Sequence, residues 1–94
     1  MKQKILNKVD LSQGFGVVLN KLQDIACEHL PQRSVEMYLQ ASNEDMNECE
    51  GMDCLIINGR YFDWKMFDIK AREIVSAWLD YFSERDLKVI YENM

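Results

Sequence analysis

The stretch CLIINGRYFDW at residues 54–64 carries the clearest local structural signal in the chain. Asn58-Gly59 supplies the two positive φ angles that a type I′ turn requires, and β-forming residues flank it on both sides. The sequence therefore predicts a β-hairpin. A two-residue loop pairs Ile57 with Arg60, Ile56 with Tyr61 and Leu55 with Phe62.

Alternation along the predicted strands divides the hairpin into two faces. The face expected to cover the core carries Leu55, Ile57, Phe62 and Trp64. The other face carries Cys54, Ile56 and Tyr61, and it is either covered as well or a contact surface. Because the pairing turns Tyr61 away from Phe62 and Trp64, Tyr61 is the preferred candidate for an exposed contact residue.

Two segments show the three-and-four spacing of an amphipathic helix. In residues 11–30 the stripe consists of Leu11, Phe15, Val18, Leu22, Ile25 and His29. Asp10 or Ser12 can cap this helix and Pro31 ends it, although Gly14 and Gly16 also allow a start near Phe15. In residues 68–83, with Asp68 as the predicted cap, the stripe consists of Ala71, Ile74, Val75, Trp78, Leu79 and Phe82.

Three other segments are predicted as strands. Residues 2–9 fit a short strand or a helical turn, and the strand is preferred. Residues 35–41 alternate and precede a turn-like Ser42-Asn43, although the spacing of Val35, Tyr38, Leu39, Ser42, Met46 and Cys49 also fits a helix. Residues 87–91 alternate as a terminal strand. The predicted fold is one α+β domain over residues 1–94, an antiparallel sheet of about 4–5 strands with two helices packed on one face, in the order (β)-α-β-β-β-α-β.

Charge is concentrated in one part of the sequence. The 26 residues between Arg33 and Arg60 include no lysine or arginine. They include six acids: Glu36, Glu44, Asp45, Glu48, Glu50 and Asp53. This window contributes −6 and the remaining chain +1 to the net charge of −5. Clustered charge of one sign favours binding of a basic surface and disfavours direct binding of nucleic acid.

The cysteine and histidine pattern predicts no metal site. Cys49 and Cys54 are spaced too widely for a usual zinc pair, and Cys27 and His29 would lie on different faces of a helix. The segment that begins at Asp45 starts like an EF-hand calcium loop but does not match one. The loop needs glycine at its sixth position and glutamate at its twelfth, whereas Gly51 is seventh and Ile56 is twelfth. His29 is the one histidine available as a catalytic base, and it is expected in the last turn of its helix.

The chain is expected to be cytoplasmic. Three cysteines without a framework spacing predict reduced thiols. The N-terminal segment lacks the apolar run of a secretory signal, and no stretch approaches the length of a membrane span.

These observations predict a non-enzymatic interaction module without cofactors, which binds a basic protein such as a nuclease or a nucleic-acid-binding protein. The expected contact residues are Glu44, Asp45, Glu48, Glu50, Asp53 and Tyr61. In size and charge the chain resembles the small inhibitor and immunity proteins of bacteria and their mobile genetic elements. Three alternatives stay open: a nucleic-acid mimic, a homo-oligomer that pairs through the second hairpin face or the terminal strand, and a small enzyme using His29.

Overall fold

The computed structural model describes residues 1–49 and 53–94. This part of the chain contains five α-helices and one two-stranded antiparallel sheet. The helices are α1 (Lys2–Lys8), α2 (Phe15–His29), α3 (Gln32–Glu48), α4 (Ala71–Leu79) and α5 (Glu84–Glu92), and the strands are β1 (Cys54–Ile57) and β2 (Arg60–Asp63). The predicted larger sheet with two helices on one face is therefore wrong, because the fold is mostly helical.

The predicted hairpin is confirmed in its position, its turn and its register. Asn58 and Gly59 have φ angles of 51° and 77°, and the three predicted cross-strand pairs are those observed. Ile57 and Phe62 are buried as expected, and Tyr61 is exposed. Trp64, predicted on the core face, is instead 54% exposed, because β2 ends before it. Asp63 there accepts a hydrogen bond from the backbone N–H of Lys65 and starts the 3-10 turn Trp64–Met66.

Both N-terminal segments that were predicted as strands are helical. Residues 35–41 lie within α3, which follows Pro31 and buries Tyr38. The segment fits both the alternation of a strand and the spacing of a helix. In the helix the Tyr38 ring packs against Trp78, with ring centroids 5.4 Å apart, and this packing favours the helix. The segment at residues 2–9 forms α1 and buries Ile5 and Leu6. In both segments the structure therefore adopts the helical alternative.

The predicted terminal strand at residues 87–91 is part of α5. Its buried side chains, Leu87 and Ile90, lie three residues apart, which is a helical spacing. Ser83 caps the helix by accepting a hydrogen bond from the backbone N–H of Asp86 at 3.2 Å. Glu84 and Asp86 also place negative charge in the first turn, where the helix dipole favours it. This N-terminal capping pattern, which favours a helix, was missed in the sequence.

The two predicted helices are confirmed with shorter bounds. The first becomes α2 and starts at Phe15, because Asp10 caps a separate 3-10 turn at Leu11–Gln13. The second becomes α4, which starts after Lys70, so Asp68 is not its cap. α4 lies at the centre of the fold and packs against α1, α2 and β1. Its buried side chains are Ile74, Val75, Ala77, Trp78 and Leu79.

Candidate partner-binding surface

α3 is attached to the rest of the fold along one narrow stripe. Of its 17 residues, all within the described ranges, Tyr38 alone is buried. The Tyr38 hydroxyl donates a hydrogen bond to Oε1 of Gln23 at 2.6 Å and accepts one from Nε1 of Trp78 at 3.0 Å. Burial is the main cause that raises the pKa of Tyr38. These bonds connect α3 to both α2 and α4.

Asp45 provides the second attachment of α3. Its carboxylate accepts hydrogen bonds from the backbone N–H of Asn58 at 2.8 Å and from the hydroxyl of Tyr81. The same N–H also donates to the Tyr81 hydroxyl, at 2.8 Å. Burial, followed by the hydrogen bond to Asp45, raises the pKa of Tyr81. Asp45, predicted as a partner-binding residue, is half-buried, and its carboxylate is hydrogen-bonded to other groups of the protein.

A disulfide between Cys49 and Cys54 joins the end of α3 to the start of β1, with the two Cα atoms 6.3 Å apart. The prediction of reduced thiols is therefore wrong for these two cysteines, whereas Cys27 is free and exposed. Sequence reasoning missed the pair because it depends on α3 running up to Cys49. Glu48 and Asp53 each neighbour a bridged cysteine in the sequence.

The remaining predicted contact residues lie on the surface. Glu44 and Glu48 are exposed one helical turn apart on α3, and Asp53 is exposed just before β1. Tyr61, 64% exposed, lies directly across the hairpin from Ile56. Glu50 lies outside the described residues. Glu44 and Glu48 are thus exposed on α3, Asp53 just before β1 and Tyr61 on β2.

Large apolar side chains accompany the acids on α3. Met37 and Met46 are 63% and 65% exposed, and Leu39 is also exposed. Methionine side chains adapt to varied partner surfaces because they are flexible and polarisable. Met37 lies on the same flank of α3 as Glu44 and Glu48, whereas Leu39 and Met46 lie on the opposite flank, because residues two apart in a helix point to different sides. The first flank therefore combines negative charge with one adaptable apolar side chain.

Cys27 and His29, the residues weighed in the sequence for zinc binding or catalysis, both lie on α2. His29 ends α2 as predicted, and its Nε2 atom lies 3.8 Å from a carboxylate oxygen of Glu28. Cys27 is exposed on the same helix. Within residues 1–49 and 53–94, no three His, Cys, Asp or Glu side chains are grouped as they would be to hold a metal ion.

Comparison of the chain with protein-family models, with curated proteins and with solved structures finds no match.

Proposed function

We propose that this protein is a non-enzymatic interaction module that binds a basic surface of a partner protein through the outward side of α3 and the adjoining hairpin. The observation that carries this proposal is the limited attachment of α3. A 17-residue helix buries one side chain and presents to solvent a flank on which Met37 lies with Glu44 and Glu48. A surface of this composition supports a contact in which apolar side chains give affinity and acids speed association.

The chemistry of the partner follows from the sign of the charge. All charged residues between Arg33 and Arg60 are acidic, so a partner surface rich in lysine and arginine complements them. Nucleases and nucleic-acid-binding proteins present such surfaces to phosphates. An inhibitor or immunity protein for one of them is the function that best fits the acidic surface on α3.

The proposed contact is tested by charge reversal in a matched pair of triple variants. One carries Glu44→Lys, Glu48→Lys and Asp53→Lys, and the control carries Asp24→Lys, Asp68→Lys and Glu92→Lys at exposed positions elsewhere. The partner is first identified by pull-down and mass spectrometry, and its affinity is then measured by calorimetry at low and high salt.

We expect the first variant to lose at least about tenfold in affinity and most of the salt dependence, with the control close to the unchanged protein. Equal losses in both variants would reduce the effect to net charge and contradict the assignment to α3. An unchanged affinity in the first variant would contradict the proposal as a whole.

Self-association is a second candidate, favoured by the exposed aromatic side chains of the hairpin region. Tyr61 and Trp64 are both more than half exposed, and β2 is hydrogen-bonded to β1 alone among the described strands. An open strand edge can pair with a second copy. The terminal-strand version of this hypothesis is wrong, because that segment is α5. Sedimentation at rising protein concentration separates the candidates, since a monomer throughout excludes self-association as the main role.

The cytoplasmic location is retained as a proposal. No helix in the described part of the chain has the length and apolar character needed to cross a membrane. The Cys49–Cys54 disulfide provides the test, because cytosolic thiols are kept reduced. Rapid alkylation of intact cells followed by mass spectrometry separates the two outcomes. Alkylated Cys49 and Cys54 would support the cytoplasmic location, with the disulfide forming only on oxidation, and a protected disulfide would contradict it.

A further inference from the structure

The last turn of α3 is weak as a helix end. It carries the acids Asp45 and Glu48 and no base, whereas the negative end of a helix dipole favours bases. Glu44 and Glu48 lie one turn apart, and like charges at that spacing repel each other. The side chains of Met46, Asn47 and Glu48 are all exposed, so burial contributes little to the stability of this turn. Its own sequence therefore favours fraying.

The other end of the disulfide is held by the hairpin. Cys54 pairs with Asp63 across the two strands, and the backbone N–H of Trp64 donates a hydrogen bond to the carbonyl oxygen of Asp53 at 3.0 Å. Cys49, the residue at which α3 ends, is joined to this strand by the disulfide. The bond therefore fixes a weak helix end to a strand that is hydrogen-bonded in place.

The disulfide lies outside the core. Cys49 and Cys54 are half-buried, and neither belongs to the cluster of buried apolar residues. Their sequence neighbours Glu48 and Asp53 are exposed. A small thiol needs access to one sulfur in order to exchange with a disulfide, and a bond at the surface offers it. Forming or breaking the bond should leave the core packed, with Tyr38 still holding the middle of α3.

We propose that Cys49 and Cys54 form a reversible redox site, which orders the last turn of α3 when it is oxidised and releases that turn when it is reduced. The two cysteines have a sequence separation of 5, so the bond acts on one helix end and does not join distant parts of the chain. In the proposed cytoplasmic location thiols are kept reduced, and disulfides that form there are usually transient and redox-sensing.

The oxidant is a low-molecular-weight disulfide such as glutathione disulfide. The thiolate of one cysteine attacks it, which forms a mixed disulfide and releases one glutathione thiolate. The thiolate of the other cysteine then attacks the protein sulfur of the mixed disulfide, which forms the Cys49–Cys54 bond and releases a second glutathione thiolate. The two protons of the protein thiols pass through solvent to the two glutathiones. Excess glutathione reverses both steps.

The redox site acts on partner binding through Glu48, and this step rests on the proposed function. Glu48 belongs to the last turn and directly precedes Cys49. In the oxidised protein the ordered turn keeps Glu48 on the flank of α3 that carries Glu44 and Met37. In the reduced protein that turn must be ordered when the partner binds, which costs conformational entropy. The oxidised protein should therefore bind its partner more tightly.

The redox site is tested in Cys27→Ser, which removes the free exposed cysteine and keeps the disulfide. This protein is equilibrated with glutathione and glutathione disulfide at a series of ratios, and its thiols are counted by alkylation and mass spectrometry. Amide ¹⁵N relaxation is then measured for the oxidised form, the reduced form and Cys27→Ser/Cys49→Ser/Cys54→Ser, which serves as a stable counterpart of the reduced form.

We expect the bond to form and break as the ratio changes. On reduction, the order parameters of residues 46–49 should fall from about 0.85 to below about 0.6, whereas those of α4 should stay near about 0.85. The triple serine variant should resemble the reduced form. A bond that persists in a large excess of glutathione, or equal order parameters in the two forms, overturns the proposal. Reduction that unfolds the whole protein overturns it as well.

The effect on binding is tested by parallel pull-downs from a lysate whose thiols are blocked with N-ethylmaleimide. The baits are oxidised Cys27→Ser, the triple serine variant, and oxidised Cys27→Ser that also carries Glu44→Lys and Glu48→Lys. Proteins lost from the charge-reversed bait should be captured at least about threefold better by oxidised Cys27→Ser than by the triple serine variant.

The proposals fail differently. Equal capture by oxidised Cys27→Ser and the triple serine variant overturns the control of binding, while capture that charge reversal abolishes still supports the acidic flank. If charge reversal changes no capture, the proposed function falls and the control of binding falls with it. The redox site itself is decided by thiol counting and relaxation, which need no partner.

Discussion

The carboxylate of Asp45 accepts a hydrogen bond from the hydroxyl of Tyr81, and this bond joins α3 to the chain that follows α4. Both groups also accept from the backbone N–H of Asn58 in the hairpin turn. Three elements that lie far apart in sequence therefore meet at one carboxylate. Although it belongs to the acidic window, the half-buried Asp45 is hydrogen-bonded to other parts of the protein.

Asp45→Ala should lower the free energy of unfolding by about 1–3 kcal/mol, because the N–H of Asn58 and the hydroxyl of Tyr81 lose an acceptor. Asp45→Asn keeps a carbonyl acceptor and should lower it less. Glu44→Ala, at the exposed neighbouring position, is the control and should change it by less than about 0.5 kcal/mol. Urea denaturation measures all three. Similar midpoints for Asp45→Ala and Glu44→Ala would show that the contact is energetically unimportant.

Stability should fall in alkaline solution. In the unfolded chain tyrosine ionises near pH 10. In the folded protein burial raises the pKa of Tyr38 and Tyr81, and Asp45 raises that of Tyr81 further. Above about pH 10 the unfolded state therefore binds fewer protons than the folded state, and the free energy of unfolding decreases as pH rises. Urea denaturation from about pH 8 to 11 measures this decrease, which Tyr81→Phe should make shallower. If stability decreased with the same slope in Tyr81→Phe, the pH dependence would come from groups other than Tyr81.

Two neighbouring glycines should respond oppositely to alanine. Gly16 is helical and a Cβ there meets no atom, so Gly16→Ala should stabilise the protein by about 0.4–1 kcal/mol. Gly14 has a φ of +92°, which alanine rarely adopts, so Gly14→Ala should destabilise it. Thermal unfolding of the pair, recorded side by side, checks both signs. Destabilisation by Gly16→Ala would mean that its surroundings are more crowded than the structure shows.

The Cys49–Cys54 disulfide closes a short loop, with a sequence separation of 5. The loop-entropy relation gives a stabilisation of about 2 kcal/mol for such a loop. Dithiothreitol or the Cys49→Ser/Cys54→Ser variant should remove it, and Cys27→Ser, at the free exposed cysteine, should have little effect. Chemical denaturation measures the loss. Titration of three free thiols in protein purified without reductant would contradict the disulfide.

How much the sequence reveals depends on the range of the interactions involved. The hairpin follows from Asn58-Gly59, because turn geometry is set by adjacent residues. α3 cannot be derived from local sequence in the same way, because its segment fits both the alternation of a strand and the spacing of a helix. The packing of Tyr38 against Trp78 favours the helix. In the sequence, Asp45 looks like any other acid of the window. Only when residues 32–48 are known to form a helix does Asp45 lie two turns after Tyr38, on the same side of α3. The packing of α3 joins it to α2 and β1, and no local pattern brings these three elements together.

The narrow attachment of α3 separates what the scaffold must keep from what a partner can select. Tyr38, Asp45 and Cys49 hold the helix in place, while the outward positions take little part in the core. Substitutions at those outward positions can accumulate with little effect on folding. Under the proposed function, a lineage carrying this fold could therefore change its partner contact on α3 while the helices around α4 stay as they are.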